Sequence, residues 1–208
     1  MSRPGQLRAL ARCHLTETVL PADAVIVEGV RQGEACAADW LYARVHLPVV
    51  RTLRRVLGSD QQEHDDLVQA SFEKMIRVLS VRVDLESLDL PAWASAVSAR
   101  VALDALRRRS REQRLFHGLA EGLDILPARG AAPEQITSAR VQLGKARAAL
   151  GRMKPKLAEA FLLHEVLGYE LREIASLTGA SVAAVQSRLV RGRRDFLRRT
   201  ASEGSDGR

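Results

Sequence analysis

The sequence is poor in aromatics, 4% of its 208 residues, and it holds only two cysteines, Cys13 and Cys36. Two thiols cannot complete a four-ligand zinc site without His or carboxylate help, so both read as reduced and structurally incidental. No stretch of 18 consecutive apolar residues occurs, and the first 20 residues lack the apolar run of a signal peptide. The expectation is a cytoplasmic protein with no membrane insertion. Signatures of catalysis are missing as well: there is no Gly-rich phosphate loop after a strand, no H-E-x-x-H, and no Ser or Cys nucleophile motif. His164-Glu165 has no second histidine, and in His64-Asp65-Asp66 adjacent helical residues point in different directions. Neither an enzyme nor a cofactor or metal is expected.

The helix formers Ala, Leu and Arg are abundant, and hydrophobic residues make up 46% of the chain, which predicts an all-α protein with a real core. Lys and Arg number 32 against 25 acidic residues, a net charge of +7, and the pI is near 10.2. The excess is focused: residues 100–114 and 188–199 each hold six arginines, against two acids and one. Focused positive charge favours a polyanionic partner such as nucleic acid over general solubility.

Residues 1–38 form a leader without a sustained period, apart from a β-favouring run at Val25 to Val27, and receive no function. From Asp39, Leu41, Val45, Val49 and Leu53 recur in steps of four, which predicts a helix to Leu57 with a kink or restart at Pro48. A second helix follows a Ser59-Asp60 cap, its apolar set Leu67, Val68, Phe72, Met75, Ile76 and Leu79 at three-and-four spacing. Asp89 and Pro91 predict the start of a third helix running to about Arg114. Residues 117–134, HGLAEGLDILPARGAAPE, suit a tether. Beyond it come a helix around Ile136 to Leu150, a turn at Gly151 to Pro155, a helix from Leu157 to Leu167, and two short helices split at Gly179. The expected organisation is a bundle over 39–114, a linker over 115–133, a second helical domain over 134–200 and a tail from 201.

The split at Gly179 has the spacing of a DNA-reading helix-turn-helix. Such a motif needs a small residue where its two helices cross, a residue tolerant of positive φ in the turn, and an apolar anchor in the second helix. Ala175, Gly179 and Val185 supply these. Ser181 is placed to cap the second helix, and the early positions Ala183, Ala184, Gln186, Ser187 and Arg188 are short or hydrogen-bonding, as entry into a major groove requires. Arg188 is the candidate for bidentate guanine recognition and Gln186 for adenine, with Arg191, Arg193 and Arg194 for phosphates. The plain alternative is a helical hairpin with a solvated arginine face; the charge focus weighs against it.

With both basic blocks in view, the chain resembles the extracytoplasmic-function sigma factors, compact initiation factors of the sigma-70 type, over about residues 39–200. DDLVQASFEKMIRVL, 65–79, is similar to the family's region 2 helix. The resemblance implies that Asp65, Asp66, Gln69, Phe72 and Glu73 meet the clamp of the largest subunit of core RNA polymerase. LPAWASAVSARVALDALRRRSR, 90–111, is similar to the segment that opens and reads the −10 promoter element. Carried over, this assigns DNA contacts to Trp93, Arg100, Asp104, Arg107, Arg108 and Arg109, although one tryptophan on a helical stripe is more often core. Where the family commonly has Asn after the arginine, this chain has Val101. AFLLHEVLGYELREIASLTGASVAAVQSRLVRGRRDFLRR, 160–199, is similar to region 4, which reads the −35 element, with Gln186 in place of the family's lysine. The resemblance thus implies an alternative sigma factor that takes core RNA polymerase to promoter DNA, monomeric when free, with an anti-sigma factor as a further partner whose existence the sequence does not decide. A helix-turn-helix regulator acting without polymerase contact is the alternative, for which residues 134–199 would suffice.

Overall fold

The computed structural model describes residues 20–58, 64–81, 89–119 and 134–202, and every regular element among them is helical. The chain divides into two compact units, one of Met1–Arg54 and Ser59–Ser98, the other of Arg55–Gly58 and Ala99–Arg208.

In the first unit the expected stripe of the helix α2 (Ala35–Leu57) is present: Leu41, Val45, Val49 and Leu53 are all 0% exposed. The helix begins four residues before Asp39 and continues through Pro48 without a restart. The N-terminal stretch departs from expectation. Val25 to Val27 belong not to a β-favouring run but to a helix, α1 (Asp23–Gln32), because Ile26, Val27 and Val30 share one face and are buried, α1 packing on α3 (His64–Leu79). Burial overrides the strand preference of valine and isoleucine. Gly33, at φ 74°, ends α1, and the Glu34 N–H returns to the Gly29 carbonyl at 2.9 Å. A side chain at Gly29 would stand 2.6 Å from the Ala37 methyl, so the glycine lets α1 lie against the start of α2.

Asp23 joins three helices. One carboxylate oxygen accepts the Leu90 N–H at 2.9 Å, at the start of α4 (Leu90–Leu119), and the other accepts Arg44 Nε of α2 at 2.8 Å. Asp89 caps α4 as expected, accepting the Ala92 N–H at 2.9 Å. The Ser59-Asp60 cap lies outside the described residues, as do Cys13 and residues 120–133 of the tether; Cys36 is half-buried and free. α4 itself extends to Leu119, five residues past Arg114.

The second unit is built around α8 (Val182–Ser202), against which α5 (Glu134–Arg152), α6 (Pro155–Phe161) and α7 (Leu171–Thr178) all pack. The expected helix from Leu157 to Leu167 instead changes pitch, α6 passing into a π-helical turn at Leu162–Val166. α8 is 21 residues long, not a short helix, because Val185 and Leu189 are buried and Phe196 stacks on Phe161 at 4.6 Å, anchoring it along its length. Gly192 makes the α6–α8 crossing close: a Cβ there would lie 3.0 Å from the Leu157 carbonyl oxygen.

Candidate nucleic-acid interface

The turn between α7 and α8 has the geometry its sequence calls for. Glu173 accepts the Glu170 N–H at 2.7 Å in a capping box that starts α7. At the other end Gly179 sits at φ 64°, with the Gly179 N–H on the Ser176 carbonyl at 3.4 Å and the Ala180 N–H on the Ala175 carbonyl at 3.1 Å. This paired closure requires a left-handed residue, which glycine supplies without a Cβ penalty. Ser181 Oγ then accepts the Ala184 N–H at 3.2 Å, capping α8. Ile174, Ala175, Val185 and Leu189 are buried between the two helices.

That packing turns the other side of α8 outward. Ser181, Ala183, Gln186, Ser187, Arg191, Arg193 and Arg194 are exposed, and Ala184 and Arg188 are half-buried. On one flank Arg188, Arg191, Arg194 and Arg198 line a cleft of about 780 Å³ shared with Lys154 and Lys156 at the start of α6. Burial pushes the Asp195 carboxyl there up, but hydrogen bonds from Arg199 and Arg198 outweigh it and hold it below its usual value. The cleft therefore keeps a strongly positive lining. Sequence reasoning missed the two lysines, whose signal was the pair flanking Pro155 ahead of an apolar run. On the other flank Arg193 donates to Glu165, its Nη2 at 2.6 Å, and this bond keeps the Glu165 carboxyl below its ordinary range. Arg193 is thus already paired within the chain, whereas among the described residues Arg191 donates only to the Ser187 carbonyl, at 3.1 Å.

The residues of α4 are less accessible than their sequence pattern suggests. Trp93 is 3% exposed, which favours its role in the core over one as a stacking platform. Val101 is buried as well. Arg100 is ion-paired with Glu159 of α6, and Arg107 donates to Asp104 at 2.7 Å. Of Arg107, Arg108 and Arg109, only Arg108 is exposed; the other two are half-buried.

On the first unit Asp65, Asp66, Gln69 and Glu73 are exposed along α3, with Gln69 donating to Glu73 at 3.0 Å. Phe72 packs on Tyr42 of α2 in a tilted arrangement with ring centres 4.9 Å apart, and the Tyr42 and His46 ring centres are 4.7 Å apart. Asp65, Gln69 and Phe72 line a groove of about 970 Å³ whose other wall is Tyr42, His46 and Arg54. The α2 wall was not singled out from sequence; its signal was the i, i+4 pair Tyr42 and His46 beside the buried stripe.

Comparison with known proteins matches these two surfaces in order. The sigma-70 region 2 family model matches residues 41–112, and the sigma-70 region 4 model matches residues 143–196. The chain is 31% identical over 163 residues to the ECF RNA polymerase sigma factor SigE of Mycolicibacterium smegmatis, covering 77% of this chain and 62% of that protein's length. It is 31% identical over 180 residues to the RNA polymerase sigma factor CnrH of Cupriavidus metallidurans, covering 83% of this chain and 91% of the relative. A solved structure of CnrH with the cytosolic domain of CnrY is similar over 85% of this chain and 95% of that one, at 22% identity and a TM-score of 0.47. With a helix-turn-helix following a region 2 helix set, and a relative matched over nearly its whole length, the chain belongs to the sigma-70 family of RNA polymerase sigma factors, in its extracytoplasmic-function group.

Proposed function

We propose that this protein is an alternative sigma factor: it binds core RNA polymerase through the α2–α3 groove and directs it to promoters through α4 and α8. The observation that carries the reading is the helix-turn-helix, with a glycine closure at Gly179, a capped α8 and an outward face of Gln186, Ser187 and Arg188, in one chain with a region 2 helix set. Arg188 and Gln186 are the base-reading residues, while Ser181, Ala183 and Ala184 let the helix enter the groove closely. Arg191 and Arg194, joined by Lys154 and Lys156, meet phosphates, which fixes register without carrying sequence.

At the −10 element Arg100, Asp104, Arg107, Arg108 and Arg109 act on the opened strand, where unstacking costs a few kcal/mol per base and is offset by stacking and phosphate contacts. Asp65, Asp66, Gln69, Phe72 and Glu73 form the polymerase surface, with Tyr42 and His46 completing its aromatic wall. The functional modules are residues 39–114 and 134–200, joined by 115–133. We place the protein in the cytoplasm, monomeric when free and without catalytic activity of its own; no helix among the described residues is long and apolar enough to cross a membrane. Family membership makes an anti-sigma protein an expected partner, to be sought by co-purification.

Run-off transcription tests the reading. Purified core polymerase with this protein should initiate on a fragmented genomic template at sites that core alone ignores. An unchanged choice of start sites, or failure to co-elute with core, refutes it. The regulator without polymerase contact is disfavoured by the region 2 match over 41–112, and it requires that deleting 39–114 leave promoter binding and regulation intact.

A further inference from the structure

Arg107, Ser110 and Arg111 of α4 and Gly151 and Arg152 of α5, all within the second compact unit, line a cavity of about 150 Å³. Three guanidinium groups and a hydroxyl make its polar wall, and among the described residues that line it there is no carboxylate. Gly151 sets its width. A Cβ there would stand 2.6 Å from both the Leu106 carbonyl oxygen and Ser110 Oγ, so any larger residue would push the two walls apart.

Arg107 carries the argument for a ligand. Its side chain is 15% exposed, and its Nη1 donates to Asp104 at 2.7 Å. Nε and Nη2 are buried and have no hydrogen-bond partner among the described residues. Their N–H groups lie side by side along one edge of the planar guanidinium, the fork that takes two oxygens of a single oxyanion. A buried donor without an acceptor is costly, the more so on a charged group. A neutral acceptor would satisfy the fork but leave three like charges lining one small space, whereas an anion answers both needs. A carboxylate offers one charge and two oxygens. A phosphate, at about −1.5 to −2 near neutral pH, offers acceptors on every side and so serves Arg111, Arg152 and Ser110 as well as Arg107. The volume takes one tetrahedral oxyanion and cannot take a nucleoside.

We propose that this cavity is a binding site for a free phosphate ion, gripped by the Nε–Nη2 edge of Arg107 and completed by Arg111, Arg152 and Ser110, and that the ion competes with DNA for Arg107. The site stands on the cavity and its donors alone. Only the competition rests on reading Arg107 as a contact of the −10 strand.

Isothermal titration calorimetry on the full chain, with potassium phosphate replacing potassium chloride at constant ionic strength, tests the site. The native chain should take up one phosphate with a saturable isotherm. Arg107→Lys keeps the charge but loses the fork, and should bind phosphate at least about tenfold more weakly. Arg111→Gln, at an exposed position, should also weaken binding and decides the matter where Arg107→Lys fails to fold. An absence of saturable uptake overturns the site. So does an affinity that falls with Arg191→Gln but not with Arg107→Lys or Arg111→Gln, which would put the ion in the cleft beside α8. Fluorescence anisotropy of a labelled single-stranded oligonucleotide of mixed sequence then separates free phosphate from strand phosphate. At saturating phosphate the native chain should bind the strand several-fold more weakly than in chloride of equal ionic strength, and Arg107→Lys should show little difference. Uptake without competition would leave the site standing and refute the assignment of Arg107 to the strand, so the two readings fail separately.

Discussion

Arg188, Arg191 and Arg193 lie within six residues of one another on α8, yet their surroundings separate their roles. Arg188 is half-buried near the entering end of the helix, Arg191 is exposed beside Lys154 and Lys156, and Arg193 is held by Glu165. Replacing Arg188 by Ala should reduce discrimination for the cognate −35 sequence by about 1–3 kcal/mol, measured against a scrambled site. Arg191→Ala should weaken both sequences alike and reduce the salt slope by about one ion, and Arg193→Ala should do so to a smaller extent because its charge is partly spent on Glu165. The Glu165 pair also has a pH signature. Its carboxyl is held below the ordinary value of 4.5, chiefly by the Arg193 hydrogen bond, so its stabilisation is present above that value and lost as pH falls through the depressed one. Acid titration of unfolding should show this component in the native chain and not in Glu165→Gln. The motif residues Ala175, Gly179 and Val185 were legible in the sequence because their spacing is local. Glu165 was not, since its partner is 28 residues away and only folding brings them together.

At the scale of elements, closures and caps set what α7 and α8 can do. Gly179→Ala meets nothing within 4 Å, so its cost is that of a left-handed backbone alone, about 1–2 kcal/mol by chemical denaturation. Its larger effect should be on promoter affinity, because the same backbone angle aims α8. Asp23→Ala should cost about 1–3 kcal/mol by the same measurement, since it strips the Leu90 N–H of its acceptor and unpairs Arg44. Helices with a sustained apolar period, α2 and α3 above all, could be read directly. α1 could not, because its ten residues carry one buried face and three valines that locally favour strand, and only packing on α3 decides the outcome. Nor did composition foretell the π-helical turn after α6, which lies wholly within an apolar period that an ordinary helix would also satisfy.

For the molecule as a whole, the proposed polymerase surface and the proposed −35 reader lie on separate compact units, so they should fail separately. Replacing Asp66 and Phe72 together by Ala should abolish co-elution with core polymerase, while duplex binding by α8 and the helical content of residues 139–202 persist. Loss of both at once would mean that the two surfaces are not independent. All-α class and the order of the two modules were visible in the charge blocks and motifs. What stayed hidden was that α4 is shared between the units, dividing at Ser98, because contacts between residues about 50 positions apart leave no periodic trace.

Gly192 lies ten residues beyond the first residue of α8, where the helix rests on the Leu157 carbonyl with only a hydrogen between. It is a fulcrum: the end proposed to read bases and the arginine-rich end are two arms of one lever. A shim inserted at that bearing, even a methyl group, should swing both ends at once, so on the proposed reading the depth of the helix in DNA depends on a residue outside the reading face.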